Sequence, residues 1–450
     1  MTLISKDTVS VTVILLFGEH DEMFVSRVNL PKIPWWEVEA LNAASGAVFG
    51  GALRVVRCLA GDENFVETWD RAYALEFLDS AHARPREPLS GTFDPLSTGL
   101  PPGAAVVLKD LLAARRNASG SRLSICEPWT LQGWHARVEN FASKVIPNPQ
   151  PQQKAVWKQL RTWPRSCVYE ICSDGSRYIL KACPPAYASE GPVTAYLAKL
   201  RPDLIADVLA VDPADNILLS RAFSGNDASA ESTPVLKAAA NGLAELQYVV
   251  STQRGALSRF GLAVTDLPAL MGSMHALLAD EPALMPEHGG LSDSEVEQLR
   301  SAESRIADSF NRLRSIGIPL SIEHGDFRAG NVLNDADGNF RIIDWSCTSI
   351  GHPFFSAAQL IDEEEHSPDP LTNSKIKIQL ARSYLEGWQA LGLTAAELEE
   401  ALSLARLLMP IARAIERRER LLPSLAYPLP WSFSAAFWAR RFLIRLAEQN

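Results

Sequence analysis

The sequence has few cysteines, and none of them stand at the spacing of a metal or redox motif. No two of the six form a C-x-x-C pair, and they are spread over 450 residues as Cys58, Cys126, Cys167, Cys172, Cys183 and Cys347. This number is too small for a disulfide framework, which excludes the disulfide-rich secreted class. The simpler expectation is a reducing compartment, and we predict a cytoplasmic protein.

Long hydrophobic runs are also missing. No stretch approaches the roughly 20 uninterrupted apolar residues that cross a bilayer. The apolar run at 11–17 is preceded by no basic region beyond Lys6 and is followed by no small-residue cleavage site. We therefore expect no membrane partner.

Positive charge is in the minority. The chain has 43 Lys and Arg against 53 Asp and Glu, a net charge of -10. Binding to phosphate backbones needs a basic footprint, so nucleic acid is not an expected partner. Hydrophobic residues make up 47% and charged residues 21%, which is typical of a globular protein, and the length suits about three domains or one large and one smaller domain. Neither repeats nor low-complexity tracts occur. The oligomeric state stays open.

A proline-rich segment divides the chain. Pro147, Pro149 and Pro151 fall within five residues, which favours an extended linker at 148–153. Residues 1–147 precede it with strand signals, a helix signal at 34–49 and a further strand signal at 52–59. We interpret 1–147 as an accessory α+β domain of unknown role.

After the linker, a β-rich stretch is followed by a helical one. Strand signals fill 154–224, where Asp174-Gly175 is typical of a two-residue hairpin turn. Helix signals dominate 225–450, where Ser292 and Glu295 have the spacing of a capping box, as do Thr394 and Glu397. The first of these boxes predicts a helix that ends at Gly317, and the second predicts one that reaches Arg420.

The segment from Ile322 to Trp345 has the strongest chemical signal. His324-x-Asp326 is followed by Asn331 and, after a turn at Asp337-Gly338, by Asp344. The turn doubles the chain back, so two carboxylates and an amide are expected around one small space. Such a cluster suits phosphoryl transfer, because Mg²⁺ takes one or two carboxylates as oxygen ligands and a separate carboxylate orients the acceptor hydroxyl.

This pattern resembles the aminoglycoside phosphotransferase and choline kinase family, which has a protein-kinase-like fold. The family's catalytic loop, His-Gly-Asp-x-x-x-x-Asn, and its Ile-Asp-Trp metal motif both stand here unchanged. The resemblance implies Asp326 as the catalytic base, with Asn331 and Asp344 holding Mg²⁺. It also implies an α+β bilobal fold, with a small β-rich N-lobe at 154–224 and a large helical C-lobe at 225–450, preceded by the separate small domain.

The resemblance further implies nucleotide-binding residues upstream. Lys181, late in the third strand, would reach the phosphates and pair with Glu190 on the next helix. The alternative is that Lys181 only extends into solvent at the end of the strand. Ser166, with Arg165, belongs to a turn that would cover the phosphates, although this turn has no glycine. The backbone near Leu219 and Arg221 would bind adenine at the interlobe hinge.

Some positions depart from the family pattern or allow two interpretations. His352 and Ser356 stand where the family has acidic residues, and we expect a structural His352 and a catalytic loop held by other bonds or more loosely. The acidic run Asp362–Glu365 would either bind a cationic acceptor or form a solvated face. Three basic residues at helical spacing, Arg413, Arg417 and Arg420, would pair with acids along one helix.

The sequence thus predicts a phosphotransferase that uses ATP and Mg²⁺ to phosphorylate a hydroxyl of a small molecule. One alternative is a nucleotide-binding pseudokinase or regulatory module. Another is a metabolic kinase for choline, ethanolamine, homoserine or a sugar, since fold does not determine substrate. The sequence does not distinguish ATP from GTP.

Overall fold

The computed structural model describes residues 8–18, 22–59, 71–78, 100, 103–116, 127–147, 154–228, 232–362, 366, 369–427 and 431–448. They belong to two compact units. The first comprises 1–188, 209–220 and 423–431, and the second comprises 189–208, 221–422 and 432–450. The domain boundaries drawn from the sequence stay predictions, and the linker at 148–153 lies outside the described residues.

The first unit begins with a four-stranded sheet. Its strands are β1 (Thr8–Phe17), β2 (Glu22–Pro31), β3 (Leu53–Cys58) and β4 (Ala72–Phe77), in the order β2-β1-β4-β3. Strands β1 and β4 are parallel and the other two pairs are antiparallel. Residues 11–16 of β1 are buried on both faces, which explains their continuous apolar run.

Among the described residues, three helices accompany this sheet: α1 (Glu39–Phe49), α2 (Ala104–Arg116) and α3 (Trp134–Val145). The predicted helix at 34–49 starts five residues late, because Trp36 to Val38 hydrogen-bond to a strand of the next sheet instead. Its end is as predicted, since Gly50 takes the left-handed conformation that closes a helix. Strand β4 and helices α2 and α3 were not predicted.

The second sheet of this unit has five strands. They are β5 (Val156–Trp163), β6 (Ser166–Ser173), β7 (Ser176–Ala182), β8 (Val208–Asp212) and β9 (Ile217–Arg221), in the order β5-β6-β7-β9-β8. Asp174 and Gly175 both have positive φ, which confirms the predicted hairpin turn. Trp134 and Val138 of α3 share a buried cluster with Tyr169 and Leu180, so the N-terminal region packs on this sheet.

The second unit is mainly helical. Its helices are α4 (Glu190–Leu200), α5 (Thr233–Thr252), α6 (Leu267–Leu278), α7 (Glu281–Leu284), α8 (Asp293–Ser301), α9 (Glu303–Ile316), α10 (Phe354–Asp362), α11 (Pro370–Glu386), α12 (Ala395–Glu416) and α13 (Ser434–Glu448). Both predicted capping boxes are formed. The helix predicted to run to Gly317 is divided at Ala302 into α8 and α9, and α12 ends in a π-helical turn at Arg417–Leu421.

Two three-stranded sheets lie among these helices. One has the order β10-β13-β14 and the other β11-β15-β12. Their strands are β10 (Asn226–Asp227), β11 (Val264–Thr265), β12 (Ser321–Glu323), β13 (Val332–Asn334), β14 (Phe340–Ile342) and β15 (Ser349–Gly351). The loop with His324 and Asp326 connects β12 to β13, so each of its ends is held in a different sheet.

Candidate active site

The loop between β12 and β13 turns sharply at Gly325. Its φ of 80° is in the left-handed region, and a side chain there would collide with the Cys347 carbonyl oxygen. Glycine is therefore required both by the conformation and by the close backbone approach. This turn directs Asp326 away from β12.

Asp326 is held by hydrogen bonds on both carboxylate oxygens. Asn331 Nδ2 donates to Oδ2 at 3.1 Å and to the Asp326 carbonyl oxygen at 2.7 Å. Gln359 Nε2 donates to Oδ1 at 3.0 Å. The half-exposed Arg328 guanidinium lies 3.6 Å from Oδ2. The carboxylate therefore has one defined orientation.

His324 ties this loop to the segment that carries Asp344. Its Nε2 donates to the Ile343 carbonyl oxygen at 3.0 Å, and its Nδ1 accepts from the Asp326 N–H at 3.3 Å. These partners assign the tautomer. The ring lies 4.5 Å from the Trp345 ring, and burial lowers the pKa of His324 to about 4. His324 is thus a neutral structural link.

Asp344 follows the predicted hairpin, which the structure confirms. Strands β13 and β14 pair antiparallel, and the Ile343 N–H donates to the Asn331 carbonyl oxygen at 2.9 Å. Asp344 itself has φ 62°, a conformation that non-glycine residues adopt rarely and often at functional sites. Ser346 Oγ donates to its Oδ1 at 2.7 Å. The hairpin therefore brings Asp344 beside Asn331.

A buried polar network supports Asp326 from behind. Arg413 Nε donates to Gln359 Oε1 at 3.2 Å, and Arg413 Nη2 bonds to Glu323 Oε1 at 2.5 Å. All three side chains are buried. Sequence reasoning missed Gln359 and Glu323, although it expected Arg413 to pair with an acid. The spacing of Ser356 and Gln359, three residues apart on α10, was the one signal that could have found the glutamine.

Ser356 stands where the resemblance places an acidic residue. Its Oγ accepts from the His324 backbone N–H at 3.0 Å, so a hydroxyl holds the loop between β12 and β13 at this point. Gln247 Nε2 adds a bond to the Ile322 carbonyl oxygen at 2.8 Å. His352 is buried against Phe354 and Phe355, with no hydrogen-bond partner for its ring nitrogens among the described residues.

The comparisons with known proteins agree with this geometry. The sequence matches the model of the APH phosphotransferase enzyme family over residues 165–391. The chain belongs to this family. It is thus an enzyme, a small-molecule kinase that transfers a phosphoryl group to an alcohol group. No curated protein matches the chain in sequence.

Solved structures share the fold at low sequence identity. The choline kinase of Cryptosporidium parvum Iowa II has a TM-score of 0.51 at 13% identity, over 70% of this chain and 95% of that one. The ethanolamine kinase of Plasmodium vivax has a TM-score of 0.48 at 13% identity, with 80% and 95% covered. A macrolide 2′-phosphotransferase of Brachybacterium faecium has 0.46 at 14% identity, with 67% and 97% covered. The predicted protein-kinase-like fold is confirmed.

The other predicted site residues of this phosphotransferase lie on regular elements. Lys181 is the sixth residue of β7, opposite Val168 of β6, and it is half-buried. Glu190 begins α4 and is buried. These two residues belong to different compact units. Their pairing stays a prediction.

The predicted phosphate turn lies between β5 and β6. Ser166 is buried and its Oγ accepts from Trp163 Nε1 at 2.7 Å. The Arg165 guanidinium lies 5.2 Å from the centre of the Trp163 ring and 5.1 Å from that of Tyr187. The Ser166 oxygen accepts this bond, and its own O–H stays a donor that an anion could use. The phosphate role of Ser166 stays a prediction, as does that of the Arg165 charge.

The predicted adenine-binding residues lie on β9. Leu219 is buried in the core shared with α3. Arg221 is exposed at the end of the strand, where its N–H donates to the Asp207 carbonyl oxygen at 2.8 Å and its Nε lies 3.2 Å from Asp207 Oδ2. The adenine role stays a prediction.

Asp362, the first residue of the predicted acidic run, is a buried structural carboxylate. Arg406 donates to its two oxygens at 2.7 Å each, and Arg445 lies 3.2 Å from Oδ1. Neither interpretation of the run fits this residue, because its side chain is neither solvated nor available to an acceptor. Glu363–Glu365 lie outside the described residues.

Within the described ranges, no three His, Cys, Asp or Glu side chains are grouped as a metal site. A Mg²⁺ site does not need three such groups, since waters and phosphates fill its remaining positions. In the same part of the chain, no helix combines the length and hydropathy needed to cross a bilayer.

Proposed function

We propose that this phosphotransferase moves the γ-phosphoryl group of ATP to a hydroxyl of a small molecule, with Mg²⁺ as cofactor. The observation that carries the proposal is the orientation of Asp326. Its carboxylate is bonded by Asn331 and Gln359 on a loop that Gly325, His324 and Ser356 hold in place. A carboxylate held in this way can orient an acceptor hydroxyl and take its proton.

Asn331 and Asp344 are the residues that would hold Mg²⁺. The Nδ2 of Asn331 donates to Asp326, which leaves its Oδ1 as the atom for a metal ion. Asp344 adds a carboxylate from the adjacent hairpin, and hard oxygen donors of this kind suit Mg²⁺. When bound, the ion would neutralise charge on the nucleotide phosphates.

Lys181 and the β5–β6 turn are proposed to bind the phosphates of ATP. Lys181 supplies a positive charge at the end of β7, with Glu190 proposed as its partner. Arg165 supplies a second positive charge from the turn. The backbone near Leu219 and Arg221 is proposed for the adenine, and GTP stays an alternative donor. The roles of Lys181, Glu190 and Arg165 are separable by mutation, since these side chains lie on different elements.

The acceptor is proposed only as a small molecule with a hydroxyl group. The three similar structures are a choline kinase, an ethanolamine kinase and a macrolide phosphotransferase. At their level of identity these names show a fold and not an acceptor for this chain. The acceptor pool should therefore include amino alcohols, homoserine, sugars, aminoglycosides and macrolides.

The test is transfer of label from γ-labelled ATP with Mg²⁺ to this pool. We expect label in one acceptor class, and a loss of at least about 100-fold in kcat in Asp326→Asn, because a general base contributes that much or more. Asp337→Asn is the matched control, since it makes the same change on an exposed turn.

Two results would contradict the proposal. One is full activity in Asp326→Asn. The other is ATP binding by calorimetry with no label transfer to any acceptor class, which would favour the pseudokinase alternative.

A further inference from the structure

The N-terminal region is hydrogen-bonded to the edge of the five-stranded sheet. The Thr162 N–H donates to the Trp36 carbonyl oxygen at 3.0 Å, and the Val38 N–H donates to the Leu160 carbonyl oxygen at 3.2 Å. Glu37 and Arg161 form an antiparallel bridge between these bonds. Residues 36–38 thus add a short strand to β5, which is otherwise an edge strand of that sheet.

A side chain strengthens this attachment further along β5. Gln159 accepts from the Val55 N–H at 2.8 Å and donates to the Val55 carbonyl oxygen at 2.9 Å. It also accepts from Asn42 Nδ2 at 3.0 Å. Gln159 therefore substitutes for a backbone partner of β3, at a bulge where the β5–β6 register shifts. Two separate sets of bonds hold β5 to the N-terminal region.

Aromatic contacts continue from this attachment into the β5–β6 turn. The Trp36 ring lies 5.9 Å from the Trp163 ring, and Trp35 lies 5.6 Å from both Trp36 and Trp431. Trp163 in turn donates to Ser166 and lies beneath the Arg165 guanidinium. The side chains of Trp163, Arg165 and Ser166 are thus linked to Trp36 within two contacts.

The turn itself needs such support. Its residues are Thr162, Trp163, Pro164, Arg165 and Ser166, with no glycine. A glycine-rich loop can close on phosphates by changing its backbone dihedrals, whereas this turn has little freedom to do so. Its fit to a ligand then depends on being held in the binding conformation beforehand, which lowers the entropic cost of binding.

We infer that residues 35–38 hold the β5–β6 turn in its nucleotide-binding conformation, and that Trp36 is a positioning residue for ATP. This inference rests on the proposed function, which assigns the turn to the phosphates. It gives the N-terminal region a role in the reaction of the phosphotransferase. Trp36 acts through Trp163 and Arg165 and does not itself touch the reacting atoms.

The experiment compares Trp36→Ala with wild type in steady-state kinetics. We expect the KM for ATP to rise about tenfold in Trp36→Ala, with kcat and the KM for the acceptor within twofold of wild type. Trp36→Phe should restore the KM for ATP, because a ring still packs on Trp163. Phe24→Ala is the control, since it removes an aromatic contact with Phe17 in the same region but away from the turn.

The outcomes separate this inference from the proposed function. An unchanged KM for ATP in folded Trp36→Ala, while wild type transfers label and Asp326→Asn does not, overturns the inference alone. An equal rise in Phe24→Ala also overturns it, because the effect would then be general loosening. Absence of both ATP binding and transfer in wild type overturns both. If Trp36→Ala melts below the assay temperature, Trp36→Leu is measured instead.

Discussion

Gln359 shows how a residue without a proposed chemical role of its own can orient the proposed catalytic carboxylate of Asp326. Its amide donates to Asp326 and accepts from Arg413, which has only donor hydrogens. The amide therefore has one orientation, with its NH₂ group towards Asp326. Glu323 balances the buried charge of Arg413, so the network is paired throughout.

Replacing this amide should reduce the rate and not the binding of ATP. We predict that Gln359→Leu lowers kcat about tenfold at unchanged KM for ATP, because Asp326 loses one of the bonds that orient it. In Gln359→Glu a second carboxylate faces Asp326, and repulsion between the like charges should lower kcat as well. Steady-state kinetics measures both effects. Gln389→Leu, at an exposed position, should match wild type. A kcat within twofold of wild type in Gln359→Leu would contradict the proposal that Gln359 orients Asp326.

At the scale of elements, α10 connects the catalytic loop to the C-terminal helices. Ser356 and Gln359 contact the loop from the first turns of α10. Asp362 at its last residue is bonded by Arg406 of α12 and Arg445 of α13, with Lys377 of α11 at 3.9 Å. The position of α10, and with it the support of Asp326, therefore depends on a carboxylate at its other end.

Neutralising Asp362 should loosen this connection. We predict that Asp362→Asn lowers the free energy of unfolding by about 3 kcal/mol, because the cations around the site lose their counter-charge. Chemical denaturation followed by circular dichroism measures the change. Asp337→Asn makes the same substitution on an exposed turn and should change the midpoint little. An unchanged denaturation midpoint in Asp362→Asn would show that the ion pairs of Asp362 do not contribute to stability.

At the scale of the whole molecule, three of the four buried histidines among the described residues have a pKa far below the ordinary value. Burial lowers the pKa of His135 and of His324 to about 4, and that of His352 to about 3. All three are neutral in the folded protein at pH 7. In the unfolded chain they bind protons near pH 6.5. Below that pH the unfolded state binds more protons than the folded state. The free energy of unfolding therefore decreases as the pH is lowered, until the folded-state pKa values are reached.

The melting temperature should therefore fall between pH 7 and pH 5. Each of these histidines contributes a loss of about 2 kcal/mol at pH 5. His352→Leu should flatten this dependence, because leucine binds no proton in the unfolded chain. The fold should tolerate the change, since the ring has no hydrogen-bond partner among the described residues to lose. Ile378→Val, at an exposed position without a titratable group, should leave the slope as it is. Differential scanning fluorimetry measures how the melting temperature of each variant changes with pH. Equal slopes in wild type and His352→Leu would contradict the prediction that buried His352 contributes to this dependence.

The parts of this molecule that were predictable depend on residues close in sequence. The Asp174-Gly175 hairpin and the two capping boxes are formed by side chains within about four positions of the groups they contact. The juxtaposition of Asn331 and Asp344 needs only a hairpin of known turn chemistry. Local signals of this kind act in any tertiary context, which is why the fold of the helical part and the centre of the site followed from them.

The sequence by itself determined the family, the catalytic loop and most strands and helices, because spacing along the chain sets local geometry. Only the tertiary structure decided what supports that loop. Gln359 and Arg413 meet across 54 residues, and Trp36 pairs with Thr162 across a still longer interval, which also moved the start of α1 to Glu39. Such contacts depend on how helices and sheets pack, and no periodicity or motif in the sequence encodes which distant polar groups a packed interior will bring together.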